Sequence, residues 1–266
     1  MEYFVDKNSI VREIWGKSDT ILLIFAGASA EFALNKAVDW LYFTGRLPKD
    51  PLGRLFSTVT YARDIVFSEK EMAYKTIKNI NVIHASVEKK RGKRIPNWAY
   101  KDVLFMLIDY SIRTFEILER KLETHERQDV FNVFSDVGQR MGITDLPKDY
   151  EAFKEMRHLH IKQNLYNGDF TKDLYKQYRK HIGIVRYKLL LESQILITPK
   201  AVVQLLGLRK FSILKPLISS YKISRKINMD CLLKAMILPS AYKENIRAMN
   251  ISKPRKTNRI FFNSPL

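Results

Sequence analysis

The chain has 266 residues, a formal charge of +18 and 46% hydrophobic residues, a composition that supplies a sizeable core and excludes global disorder. Its single cysteine, Cys231, excludes an internal disulfide and any zinc site built on several cysteines, and it fits a reducing cytoplasm. Ten glycines and nine prolines are too few for an all-β protein built on many tight turns.

The opening Met1-Glu-Tyr-Phe-Val-Asp-Lys-Asn has neither the basic start nor the apolar centre of a secretory signal, so a cytoplasmic location is expected. The run Ile21 to Ala30 is the most apolar early segment and is soon followed by Glu31 and Lys36. A bilayer span needs about 20 apolar residues, so no transmembrane helix is expected. Asp50-Pro51 reads as a helix start, with a capping carboxylate and a proline in the first turn, where its missing N–H costs nothing. Leu52, Leu55, Phe56, Val59, Ala62 and Val66 then mark its apolar stripe.

A helix from about Glu69 to Lys90 follows. On it Met72, Thr76, Ile77, Ile80 and Val87 recur with His84 at three- and four-residue steps. It ends in the basic loop Lys89-Lys-Arg-Gly-Lys-Arg94. Val103 to Leu118 is apolar nearly all round and predicts a central buried helix, broken by Asp109, Arg113 and Glu116. Gly142 closes the next helix, and Leu146-Pro147 sits in the loop after it. Leu174, Tyr178, His181, Ile182, Val185 and Leu189 draw another stripe, on which His181 reads as a hydrogen-bonded residue rather than a functional one. Thr198-Pro199 repeats the cap-then-proline start, with Gly207 as its stop. Shorter helices are predicted over Ile213 to Ile223 and Cys231 to Leu238. With no strand alternation, hairpin dipeptide or fixed-period repeat, the expected architecture is all-α: a single domain of about nine to eleven helices over residues 1–251, then a basic tail, 252–266.

His84 is the foremost candidate for chemistry. Imidazole is the commonest metal ligand, also binds haem iron, and changes charge near neutral pH. On an apolar face it is either a core histidine bonded to a backbone carbonyl or a ligand. Phosphate-binding loops, dinucleotide fingerprints and nucleophile elbows are absent. His158 and His160 are two apart, so on a helix their rings diverge by about 200° and cannot easily share a metal. Glu155 and His158 share a face, but a di-iron bundle needs two such pairs and two further carboxylates. His125 reads as a solvated position. The positive charge is spread along the chain, as a solvated surface or a field for an anionic membrane. No zinc-finger spacing, RNP-like signature or basic zipper accompanies it, so no nucleic-acid partner is expected.

The segment Asp50-Pro-Leu-Gly-Arg-Leu-Phe-Ser-Thr58, followed by Val66-Phe67 and then Ile83-His84-Ala-Ser-Val87, resembles a known bacterial and fungal family. These are the haem-dependent oxygenases related to the rubber oxygenase called latex clearing protein and to the membrane-bound oxygenase of mycophenolic acid biosynthesis. Arg140-Met-Gly-Ile-Thr-Asp-Leu-Pro147 and Ile197-Thr-Pro-Lys-Ala-Val-Val-Gln-Leu-Leu-Gly207 fit the same pattern in the same order.

The resemblance implies haem b, His84 as the iron ligand, and Arg54 and Thr58 as catalytic and cofactor-binding positions on the helix lining the pocket. Arg54 and Thr58 are one turn apart and so can share a face. Read without the family, Arg54 suits an ion pair or helix-end contact, and Thr58 a back-bond to the preceding turn. Ser57 stands where the rubber oxygenase has lysine, and Glu31 and Asp39 are loose candidates for its glutamate, so polyisoprene cleavage is not expected. The functional expectation is oxidation of an unidentified apolar organic substrate by dioxygen. The alternative is a non-catalytic helical scaffold that has lost haem and uses its basic surface on a membrane or an acidic partner.

Overall fold

The computed structural model describes residues 2–45 and 50–226, apart from the side chains of residues 51, 52, 54–56 and 224–226. All regular structure among the described residues is helical. The helices are α1 (Ile10–Trp15), α2 (Ser18–Leu34), α3 (Val38–Phe43), α4 (Pro51–Phe67), α5 (Lys70–Arg91), α6 (Asn97–Leu118), α7 (Thr124–Arg140), α8 (Tyr150–Asn164), α9 (Asp169–Ile197), α10 (Lys200–Leu205) and α11 (Leu217–Lys226). The expected helix over Cys231 to Leu238, the boundary at 251 and the tail lie outside the described residues. None of the described helices is long and apolar enough to cross a membrane.

α2 and α6 form the centre. Thirteen of the 17 residues of α2 are buried, because its sequence is apolar or small on every side. It packs most extensively against α6 and α9, while α7 covers α6. Gly27 lets α2 approach α6 closely: a Cβ there would stand 2.5 Å from the Tyr110 ring. The predicted central helix is therefore present, and it begins earlier, at Asn97.

Two of its polar interruptions, Asp109 and Arg113, belong to an ionic cluster, while Glu116 pairs with Lys121 and Arg127. Arg157 on α8 bonds both Glu31 carboxylate oxygens, Nη2 at 2.5 Å, and also reaches Asp109 at 3.2 Å. Tyr110 donates its hydroxyl to Glu31 at 2.8 Å, and Arg113 pairs with Asp109 at 2.7 Å. Glu31 is 1% exposed and Arg157 5%. Burial works against the Arg157 charge, yet the facing Glu31 and Asp109 carboxylates raise its pKa well above the ordinary value.

The ends of α2 and α8 are joined by a second polar cluster. Buried Asp102 accepts from Asn35 at 2.8 Å, from Asn164 at 2.9 Å and from His160 Nδ1. Backbone bonds from Lys36 to Asn164 and from Tyr166 to Leu34, each 2.9 Å, close the junction.

Two predicted stripes are corrected. On α5 the buried residues are Ala73 and Ile77, whereas Met72 is 44% exposed and the Thr76 hydroxyl back-bonds to the Met72 carbonyl at 3.0 Å. Ile77 is buried and Ile80, His84 and Val87 are half-buried, so the stripe holds from Ile77 onward and fails at its start, where Ala73 rather than Met72 turns inward. On α9, Leu174, Tyr178 and Ile182 are buried, but Val185 is 78% exposed. Gly183 at φ 74°, ψ 166° breaks the helix there and resets its phase. At 198–199 the Thr198 hydroxyl donates back to Gln194 at 2.7 Å instead of capping α10. α11 begins at Leu217, later than expected, because Ser212 to Pro216 forms turns.

Candidate functional site

Asp50 caps α4 as its sequence requires, Oδ1 accepting from the Gly53 amide at 2.9 Å. Two residues, Ser68 and Glu69, then fold α5 back along α4, and the two helices pack together. The N-terminal segment pins this turn through Phe4 N–H to Ser68 O at 3.2 Å and Lys70 N–H to Glu2 O at 2.9 Å. Arg54 lies 13 residues before the end of α4 at Phe67, and His84 lies 14 residues after the start of α5 at Lys70. At 1.5 Å per residue each lies about 20 Å along its own helix from the turn. Thr58 is half-buried one turn nearer the hairpin. The Arg54 backbone belongs to α4, but its side chain lies outside the described residues.

His84 is half-buried, and its ring packs against Tyr100 at a centroid distance of 5.1 Å and an angle of 59°. Glu88, one turn further along α5, holds Tyr100 in place. Its Oε1 accepts from the Tyr100 hydroxyl at 3.3 Å and from the Ile95 amide at 2.8 Å. Burial, followed by the Glu88 charge, raises the Tyr100 pKa, so this hydroxyl stays protonated and remains a donor. The imidazole thus has a neighbour that fixes its ring plane and a carboxylate that anchors that neighbour.

Arg91 completes the same helical face, seven residues and about 10.5 Å of rise beyond His84. Its guanidinium centre lies 4.0 Å from the Trp40 ring centroid and 5.4 Å from that of Phe43. Nη2 donates to Asp39 Oδ2 at 2.7 Å. Nη1 is enclosed and has no hydrogen-bond acceptor among the described residues. An enclosed cationic donor without an acceptor is costly, and a ligand carboxylate is its natural complement. A cavity of about 360 Å³ lies elsewhere on α5, three to ten residues before His84, walled by Tyr74, Ile77, Lys78, Asn81 and Arg140 and not by His84, Arg91 or Tyr100.

The two loose carboxylate candidates separate clearly. Glu31 is locked in the buried ionic cluster with Arg157 and Tyr110, so it belongs to the core. Asp39 lies beside Arg91 on the His84 side of the molecule. His181 Nδ1 is bonded to the Gln177 carbonyl at 2.8 Å, as expected, and His125 is exposed beside Glu123. Glu88 and Arg91 were findable in sequence as the i+4 and i+7 neighbours of His84. Tyr100 and Trp40 were not, because they arrive from other helices.

The candidate site is thus a histidine and an arginine on α5, flanked by aromatic side chains from α3 and α6, within an all-α domain. The family described as "ER-bound oxygenase mpaB/B'/Rubber oxygenase, catalytic domain" matches residues 16–216, and the chain belongs to it. No individual curated protein matches the chain.

Proposed function

We propose that the protein is a haem b-dependent oxygenase that oxidises an apolar organic substrate with dioxygen. The observation that carries this reading is the position of His84: half-buried on α5, packed against Tyr100, inside the matched oxygenase domain. Among the described residues no group of three or more His, Cys, Asp or Glu could hold a metal. An iron bound by one imidazole needs its remaining ligands from a macrocycle. Haem would supply dioxygen binding and electron transfer.

The chain's own residues have distinct tasks. His84 is the iron ligand, and Tyr100 with Glu88 orients its ring. The open Nη1 of Arg91 donates to a carboxylate of the cofactor, with Trp40 and Phe43 flanking the guanidinium. Arg54 and Thr58 tune the pocket from α4. Ser57 stands in the position of the rubber oxygenase lysine and would leave a bound cofactor more accessible to small ligands. A cytoplasmic setting accompanies this reading, since the lone Cys231 needs no oxidising compartment.

The test is the visible spectrum of protein purified from haem-supplied cells, beside His84→Ala. A Soret band that shifts or vanishes in the variant supports the proposal. Colourless protein even after haem supplementation contradicts it and favours the non-catalytic scaffold.

A further inference from the structure

Residues 208–226 contain six lysines and arginines and no aspartate or glutamate. Within them Phe211 is 74% exposed, Ile213 59%, Leu217 56% and Ile223 63%. Large apolar side chains grouped this way on a water-facing surface mark an interaction site. The segment is held in place rather than loose. Glu192 on α9 accepts from the Ile213 amide at 2.8 Å and the Ser212 hydroxyl at 3.0 Å, and it pairs with Arg209. That anchor buries Ser212 and turns Phe211 and Ile213 outward. α11 is fixed on its other face, where Tyr221 donates to Asp19 at 3.0 Å and Lys222 to the Glu119 carbonyl at 3.1 Å. Leu217 and Ile223 are left outside.

We propose that this segment is a docking surface for an anionic lipid bilayer. Charge complementarity selects that occupant. Lys210 and Lys215 flank the exposed apolar residues. The acids that approach from neighbouring helices are engaged: Glu192 by Arg209, Glu119 by Lys17, and Asp19 by Tyr221. Phe211, Ile213, Leu217 and Ile223 enter the headgroup boundary, while the lysines reach lipid phosphates. This is interfacial binding, since no described helix is long and apolar enough to span. It is independent of the haem reading and can hold or fail without it.

The test is co-sedimentation of the full chain with phosphatidylcholine vesicles, with and without phosphatidylglycerol, at low and high salt. Sedimentation only with phosphatidylglycerol, weakened by salt, is expected. Phe211→Asp with Ile213→Asp should lower vesicle affinity about tenfold or more. Lys210→Ala and Lys215→Ala should lower it about fivefold each. Val82→Ser, an exposed apolar position on α5, should bind as the parent does, and circular dichroism checks that each variant folds. Equal binding to both vesicle types overturns the proposal, as does unimpaired binding by the Asp pair. Binding to duplex DNA that is as tight and ignores the Asp pair overturns it in favour of general polyanion attraction. Absent vesicle binding with a lowered melting temperature in the Asp pair also overturns it, because the face is then covered by the chain itself.

Discussion

Arg157 and Arg91 are both arginines facing carboxylates, yet burial gives them opposite roles. Arg157 is 5% exposed and its neighbours leave it no free function; it neutralises Glu31 and Asp109 inside the core. Arg157→Met should destabilise the protein by about 3–5 kcal/mol in urea unfolding, because it strands buried carboxylates. Adding Glu31→Gln should recover part of that loss. Arg91 keeps one enclosed donor without an acceptor among the described residues. Arg91→Leu should weaken haem binding about tenfold or more, the scale of a hydrogen bond to a charged group. It should leave the affinity for haem with esterified carboxylates nearly unchanged, as followed by quenching of Trp fluorescence. The sequence revealed His84 because a polar ring on an apolar face stands out. It did not reveal that Arg157 answers Glu31, since residues 126 apart are joined only by the fold.

At the scale of elements, periodicity and caps carried most of the information. Asp50, Gly92, Gly142 and Gly207 all mark real helix ends, the three glycines at φ between 65° and 78°. Periodicity failed where a glycine reset it. Val185 fitted the α9 stripe on paper, but Gly183 lies in a region essentially limited to glycine and turns the following residues outward. On α5 the stripe held from Ile77 to Val87 and failed only at its start, where Ala73 takes the inner position and Met72 faces water. The α2–α6 contact depends on a missing side chain. Gly27→Ala would drive a methyl into the buried Tyr110 ring, and it should cost about 1–3 kcal/mol in thermal or urea denaturation.

For the whole molecule, the all-α class was legible from composition and spacing, while the site was legible only in part because its walls come from α3, α4, α5 and α6. Acid should weaken the fold through identifiable groups. Hydrogen bonding to Arg120 lowers the Glu126 pKa to about 2, and Glu126 also caps α7 by accepting from the Glu123 amide at 2.9 Å. A carboxyl depressed in the folded state contributes stability above its unfolded value of about 4.3, and that contribution fades as pH falls toward about 2. Arg120→Ala should therefore lower the melting temperature near pH 6 and change it little near pH 2. The central claim is that His84 is the ligand to haem iron, and removing the ring while returning it in solution tests that most directly. His84→Gly reconstituted with haem should lose the parent spectrum and regain it on addition of free imidazole. A variant whose spectrum matches the parent before any imidazole is added would contradict the account.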